Sequence, residues 1–451
     1  MSEPDDAGRH RREAGSETSF GAEDVLAAPP PVESAPKHNA EPRLKDAAWN
    51  RRRDKVFAVA IAVAFLLAAS LVWVNSDSRA TTDQQSVAGP TVPPPPGTVP
   101  GSMTEIWQAA SAAAPVPIAE GNTVVTADGG EVAGRDPLTG KISWHYTRDL
   151  PLCTVAAAWA KVNAVYRKDG VDNQRGCSEV TQLDPATGRR TAQRNGDAEL
   201  GTRLITDGAH VTTTGKKLLD SWRDDLVQSM QYGDVKAVVK PDVQPRIQCS
   251  YGTVAVAAGN VGVIERCPGD PADRLTVYKS SGDEADEPKP VFSSVLAGRS
   301  AKLVAMSGEF SAVALPEQKL LVIYGADGNQ RAAYPLDLPA ADLAQDPPGG
   351  VETTTITTTS VYWFTGSKTV ALSLEDLAPR WTLNNTAGPG ISFAHQLVIP
   401  IPGGLAVLNE LDGSTIRTVG VDRHGYAGPV QLGTIGPMLL EQRGATLAAL
   451  M

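Results

Sequence analysis

From about residue 103 to 451, short apolar runs alternate with clusters of Gly, Pro, Asp and Asn. Runs of four to eight β-branched and aliphatic residues bounded by such clusters predict strands joined by tight turns. The first unit shows the pattern best. Asn122–Thr126 leads to Asp128-Gly129-Gly130, then Glu131–Arg135, then Asp136-Pro137-Leu138-Thr139-Gly140, then Lys141–Tyr146 with Trp144. This reads as an antiparallel meander. A second Asp-Pro-x-Thr-Gly turn, Asp184–Gly188, follows Ser178–Leu183. Weaker copies surround Gly208–Thr212, Gly252–Ala257, Phe310–Leu315, Ser360–Phe364 and Gln396–Pro400.

Seven units at a period of about 40–50 residues predict a β-propeller. The ends alter the count. Pro429–Thr434, Pro437–Glu441 and Ala445–Leu450 supply three strands without an outer one. Glu105-Ile106-Trp107 matches the closing Ile142-Ser143-Trp144 and Pro379-Arg380-Trp381. The expected fold class is all-β, an eight-bladed propeller of four-stranded antiparallel blades, with seven blades as the alternative. Both domain termini would close the ring and remove its open edges. Residues 103–451 then give about 44 residues per blade.

A different pattern precedes the strands. Val56–Val74 carries no charge and is long enough to cross a hydrocarbon core as a helix. Arg51, Arg52, Arg53 and Lys55 lie before it, and Trp73 fits an interfacial anchor. The basic flank predicts a cytoplasmic N-terminus and an extracytoplasmic propeller at the cell membrane. A cleaved signal peptide is the rival, but its apolar region is normally shorter and less polar sequence precedes it. The expected organisation is a disordered cytoplasmic tail at 1–50, a transmembrane segment at 51–75, a Pro-rich linker at 76–102 and the propeller at 103–451. Thr91–Gly97 predicts a polyproline-like stalk that holds the propeller off the membrane.

Composition adds three points. The net charge is −10 without a basic stripe, which argues against nucleic acid. The four cysteines form two local pairs, Cys153/Cys177 and Cys249/Cys267, and an exported segment favours two disulfides. The six histidines include no H-E-x-x-H, and no G-x-S-x-G or Walker loop occurs. The acidic run Asp283–Glu287 reads as a solvated loop.

Asp136, Thr139, Gly140 and Trp144 in one blade, with Asp184, Thr187 and Gly188 in another, resemble the repeat of quinoprotein-like (PQQ-type) propellers. Periplasmic scaffold propellers of the outer-membrane assembly lipoprotein type share that repeat. Trp107 and Trp381 match its docking tryptophan. The overall layout looks like that of single-pass membrane proteins of actinobacteria. The resemblance implies the fold. In physical terms the repeat residues are structural: Asp accepts turn N–H groups, Pro presets φ, Gly takes φ > 0 and Trp packs between blades. Quinoprotein dehydrogenases also carry a quinone, a divalent metal and a vicinal disulfide. No two cysteines are adjacent here, so no cofactor, metal ligand or catalytic residue is assigned. The expected function is a non-enzymatic scaffold that binds a protein or cell-envelope component through one propeller rim, with the helix in the membrane. The alternatives are a quinoprotein-like or other enzyme using the central funnel, and a sensor signalling through the 1–50 tail. Oligomeric state is left open.

Overall fold

The computed structural model describes residues 51–451 apart from 75, 77, 78, 80, 88, 170–174, 237–239 and 241. The expected disordered tail lies outside the described residues. The chain divides into two compact units, 1–70 and 71–451. The described part of the first belongs to one helix, Arg52–Val74, with no buried residue. The Arg51 N–H donates to Asp54 Oδ2 at 3.1 Å and fixes the helix start. Its 23 residues span about 34 Å, enough for a hydrocarbon core. Length and composition fit a membrane span or a signal sequence.

The second unit is an eight-bladed propeller. Blade 1 is Ile118–Glu120, Thr123–Asp128, Glu131–Arg135 and Ile142–Arg148. Blades 2 to 7 occupy 152–198, 204–233, 250–295, 302–335, 353–384 and 391–420. Each begins with its innermost strand and ends with its outermost. Blade 8 takes Val430–Ile435, Met438–Arg443 and Thr446–Leu450 from the C-terminus, and Glu105–Ala110 as its outer strand. Trp107 pairs with Ala449 and Gln108 with Ala448, so the ring closes through both ends and the seven-blade alternative falls.

Burial explains why some strands read clearly in the sequence. Middle strands such as Leu320–Gly325 and Ser360–Phe364 lie between blades and are buried almost throughout. Outer strands such as Pro379–Asn384 alternate between half-buried and exposed positions. Stacked blades thus favour continuous apolar runs inside and period-two patterns outside.

Both disulfides form. Cys249–Cys267 closes the hairpin of the first two strands of blade 4, next to the Ser250↔Arg266 pair. Cys153–Cys177 reaches further: it joins the first strand of blade 2, Leu152–Ala158, to the third, Arg175–Leu183, across the strand between them. Closing loops of this size restricts the unfolded chain and stabilises by about 2–4 kcal/mol each.

The Pro-rich segment is not a free-standing stalk. Thr81–Gln84 adds a fifth strand to blade 1, pairing Thr81 with Arg148 and Gln84 with His145. The Ser86 N–H then donates to Thr187 O in blade 2 at 2.9 Å. Val92 packs against the cluster of Val124, Ile435 and Met438. Val99 and Met103 are buried against blades 7 and 8. The Val99 N–H donates to Gln396 Oε1 at 3.0 Å, and Arg417 donates to the Val99 and Pro100 carbonyls. Prolines keep this strap extended, so its carbonyls are open to side-chain donors. Its apolar side chains at 92, 99 and 103 hold it down. The strap touches first-to-second and third-to-fourth strand turns, which share one face of an up-and-down propeller.

Candidate functional site

The innermost strands all start on the face opposite the strap, where the second-to-third strand turns lie. They surround an axial chamber of about 330 Å³. Ile205, Val256 and Ile356 give it an aliphatic wall, with Val254, Val304 and Met306 packed behind it between blades. A more polar mouth of about 380 Å³ adjoins it, lined by Thr154, Thr202, Tyr426, Gln431 and Gln442 among others. Arg203, Thr353 and Gln431 border both spaces.

The connection from blade 5 to blade 6 roofs part of this face. Gly349 lies against Gly215 of blade 3, and its N–H donates to Tyr251 O of blade 4 at 3.2 Å. Val254 N–H donates to Gly350 O at 2.8 Å. At φ +63° Gly349 adopts a conformation that a side chain would strain, and a Cβ would sit 2.5 Å from Gly215 O. Charge anchors the loop. Arg266 Nη2 lies 2.6 Å from Asp346 Oδ2, and buried Lys302 lies 3.6 Å from Asp346 and 3.8 Å from Glu352. Glu352 lines the chamber, and its Oε2 accepts the Trp363 indole N–H at 3.0 Å. Burial raises its pKa, against the opposing pull of Lys302 and Trp363.

The repeat residues lie away from this chamber, at the seams between blades. Asp136 Oδ1 accepts the N–H groups of Leu138 and Thr139, both at 2.9 Å, and Asp184 Oδ1 does the same for Ala186 and Thr187. Thr139 and Thr187 hydroxyls accept the next turn N–H groups, from Lys141 and Arg189. Trp144, on the outer strand of blade 1, donates to Pro185 O of blade 2 at 2.8 Å and covers Gly188. Trp107 donates to Pro137 O and covers Gly140, and Trp381 donates to Glu410 O and covers Gly413. Phe292 sits over Gly328 in the same manner, a seam the sequence reading missed. The signal was present: Pro290-Val291-Phe292 repeats the spacing of Pro379-Arg380-Trp381.

Other buried charges are tied into the blades. Glu179 pairs with Arg148 and Lys168, and Glu441 with Arg423 and Arg443. Asp220, on the third strand of blade 3, is fully buried and accepts from Gln228 Nε2 at 3.0 Å. Burial, with the nearby charge of Asp197, pushes its pKa up to about 7, while Gln231, Arg194 and Gln228 pull the other way. The folded state therefore binds this proton more tightly than the unfolded chain, whose carboxyl titrates near 3.8. Stability contributed by the proton is lost as pH rises through 7. Urea unfolding should show a fall of roughly 2–3 kcal/mol between pH 5 and pH 8 from this group. Asp220→Asn should remove that fall; an unchanged pH slope would contradict the assignment.

A quinone and divalent metal do not fit the axial residues. The chamber's carboxylate, Glu352, is held by an indole N–H and faces a buried ammonium. Both disulfides lie between residues distant in sequence. Among the described residues no group of three His, Cys, Asp or Glu side chains is arranged to hold a metal.

No protein-family model matches the chain, and neither does any curated protein. Solved structures with a similar fold include BamB from Moraxella catarrhalis, 14% identical with a TM-score of 0.46, covering 77% of this chain and 99% of that one. The quinohemoprotein alcohol dehydrogenase from Comamonas testosteroni is 10% identical with a TM-score of 0.47, covering 78% and 76%. The dihydro-heme d1 dehydrogenase NirN is 15% identical with a TM-score of 0.47, covering 78% and 72%. The likeness is one of fold alone: the chain carries an eight-bladed propeller.

Proposed function

We propose that this protein is a membrane-anchored, extracytoplasmic scaffold that acts by binding cell-envelope proteins through its rim and outer blade edges rather than by catalysis. The observation that carries the reading is the added strand Thr81–Gln84. Blade 1 already accepts an extended segment along its outer edge. Among the described residues the other seven sheets have four strands each; a loop of blade 4 covers the outer edge of blade 3, where Gln231 N–H donates to Ala285 O, while the outer strands of blades 4 and 7 gain no fifth strand. Strand addition to such an edge uses main-chain hydrogen bonds for affinity and side chains for choice of partner. Exposed apolar residues lie on these edges, among them Val291 in blade 4 and Ile416 in blade 7. The apolar helix and the two disulfides support an exported, anchored propeller. The buried carboxylates Glu179, Glu265 and Glu441 are taken up by arginines from a neighbouring blade or an inter-blade connection, which supports binding over chemistry.

The test is crosslinking in native membranes, followed by mass spectrometry, with the full chain and with Val291→Lys and Ile416→Lys variants. The expected result is a defined set of envelope proteins whose crosslinks map to the rim or an outer strand. Capture by at least one edge variant should fall several-fold. Crosslinks that ignore both rim and edges in every variant would count against the proposal.

A further inference from the structure

We propose that the axial chamber binds a single-tailed anionic amphiphile, its head on Arg203 and its tail against the aliphatic inner strands. This goes beyond the scaffold reading and does not depend on it. Arg203 stands where the polar mouth meets the apolar chamber. Its backbone is fixed from both sides: its N–H donates to Thr214 Oγ1 at 3.0 Å, and its carbonyl accepts the Thr214 N–H at 3.0 Å. The side chain is exposed to the channel, and among the described residues no carboxylate forms an ion pair with it. The other charge on the chamber wall, Glu352, is already engaged by Trp363 and faces Lys302. The open charge at the entrance is therefore positive, and the surface beyond it is apolar.

That pairing selects the ligand. A guanidinium presents a planar fork that matches a carboxylate or phosphate. Ile205, Val256 and Ile356 offer nothing to a polar tail, and a volume of about 330 Å³ suits a small molecule. The 346–350 loop closes the blade 3–4 side of the face, so the ligand enters beside blades 1, 2 and 8, where Arg203 is accessible.

The experiment is equilibrium binding of labelled dodecanoate to the full chain in phosphatidylcholine nanodiscs, with empty nanodiscs subtracted. Saturable binding of one molecule per chain is expected. Arg203→Gln should weaken it roughly tenfold or more, and Arg203→Lys should weaken it less. Ile356→Asp, which sets a carboxylate on the exposed chamber wall, should abolish it. Acetate and dodecyltrimethylammonium should not compete. A free fatty carboxylate and a lysophospholipid share this chemistry: competition by dodecyl phosphate equal to that of dodecanoate assigns the phosphate source, and its failure assigns the carboxylate. The proposal is overturned if nothing saturable remains above empty discs, if Arg203→Gln binds like the parent, or if dodecyltrimethylammonium competes as well as dodecanoate.

Discussion

A chain beginning at residue 112 is expected to lose its monomeric native state and to elute as aggregates or swapped multimers. A chain beginning at residue 98, which keeps Val99, Met103 and the closing strand, should remain monomeric. The reason is local. Glu105–Ala110 is the outer strand of blade 8, and its removal exposes the edge of Thr446–Leu450. The Thr104 and Met451 backbones exchange N–H to carbonyl bonds at 2.9 and 3.0 Å, which would also go. So would the ion pair of Arg443 with Glu105 at 2.6 Å. Trp107 docks on the blade 1 turn, donating to Pro137 O at 2.7 Å. Deleting a packed tryptophan alone costs about 3–5 kcal/mol, against a typical total stability of about 5–15 kcal/mol. An unpaired apolar edge then invites pairing with a second chain. Size-exclusion chromatography with light scattering reads the outcome. A peptide of residues 103–111 added in trans should restore the monomer. A monomeric 112–451 chain with an unchanged unfolding midpoint would refute the closure argument.

The ring closure was legible because it rests on composition that only one arrangement satisfies. Three strands at the C-terminus lacked a fourth, and Glu105-Ile106-Trp107 had the pattern of one. The seams carrying Trp144 and Trp381 were legible for the same reason, since Gly188 and Gly413 leave room for an indole. Phe292 escaped notice because a smaller ring occupies the same place. The strap was misread as a stalk because proline content reports backbone stiffness, not what the stiff segment lies against. Only Val92, Val99 and Met103 hinted at burial, and isolated apolar residues carry no period. The axial site was illegible in principle. Arg203, Val256 and Glu352 lie on or just before the inner strands of blades 3, 4 and 6, and each looks ordinary there. Only the stacking of blades brings them to one chamber.

Glu265→Ala is expected to destabilise the propeller by about 3–5 kcal/mol, the other large effect. Glu265 is fully buried on the second strand of blade 4, Asn260–Arg266. Its Oε1 accepts from the Tyr232 and Tyr278 hydroxyls at 2.7 and 3.0 Å. Its Oε2 accepts from Arg246 Nε at 2.8 Å and Thr276 Oγ1 at 2.9 Å. Tyr232 belongs to the outer strand of blade 3, so this carboxylate ties two blades together. Burial works against the charge of Arg246, yet the Glu265 hydrogen bonds and charge outweigh it and raise its pKa above the ordinary arginine value. Burial and the same carboxylate push the Tyr232 and Tyr278 hydroxyls upward, which keeps them protonated as donors. Removing the carboxylate leaves a half-buried guanidinium and three buried hydroxyls, those of Tyr232, Tyr278 and Thr276, without this acceptor. The cost comes from that orphaning and not from the pair itself, because two ions taken out of water recover little beyond their lost hydration. The double variant Glu265→Leu/Arg246→Met should therefore regain most of the stability lost in Glu265→Ala. Denaturant unfolding followed by tryptophan fluorescence measures both. If the double variant is as unstable as Glu265→Ala, the network stabilises by direct attraction and the desolvation argument fails. If it recovers, the cluster serves to fix the register of blades 3 and 4, and its replacement should leave the Tyr232–Tyr251 stacking, now 5.1 Å between ring centres, free to shift.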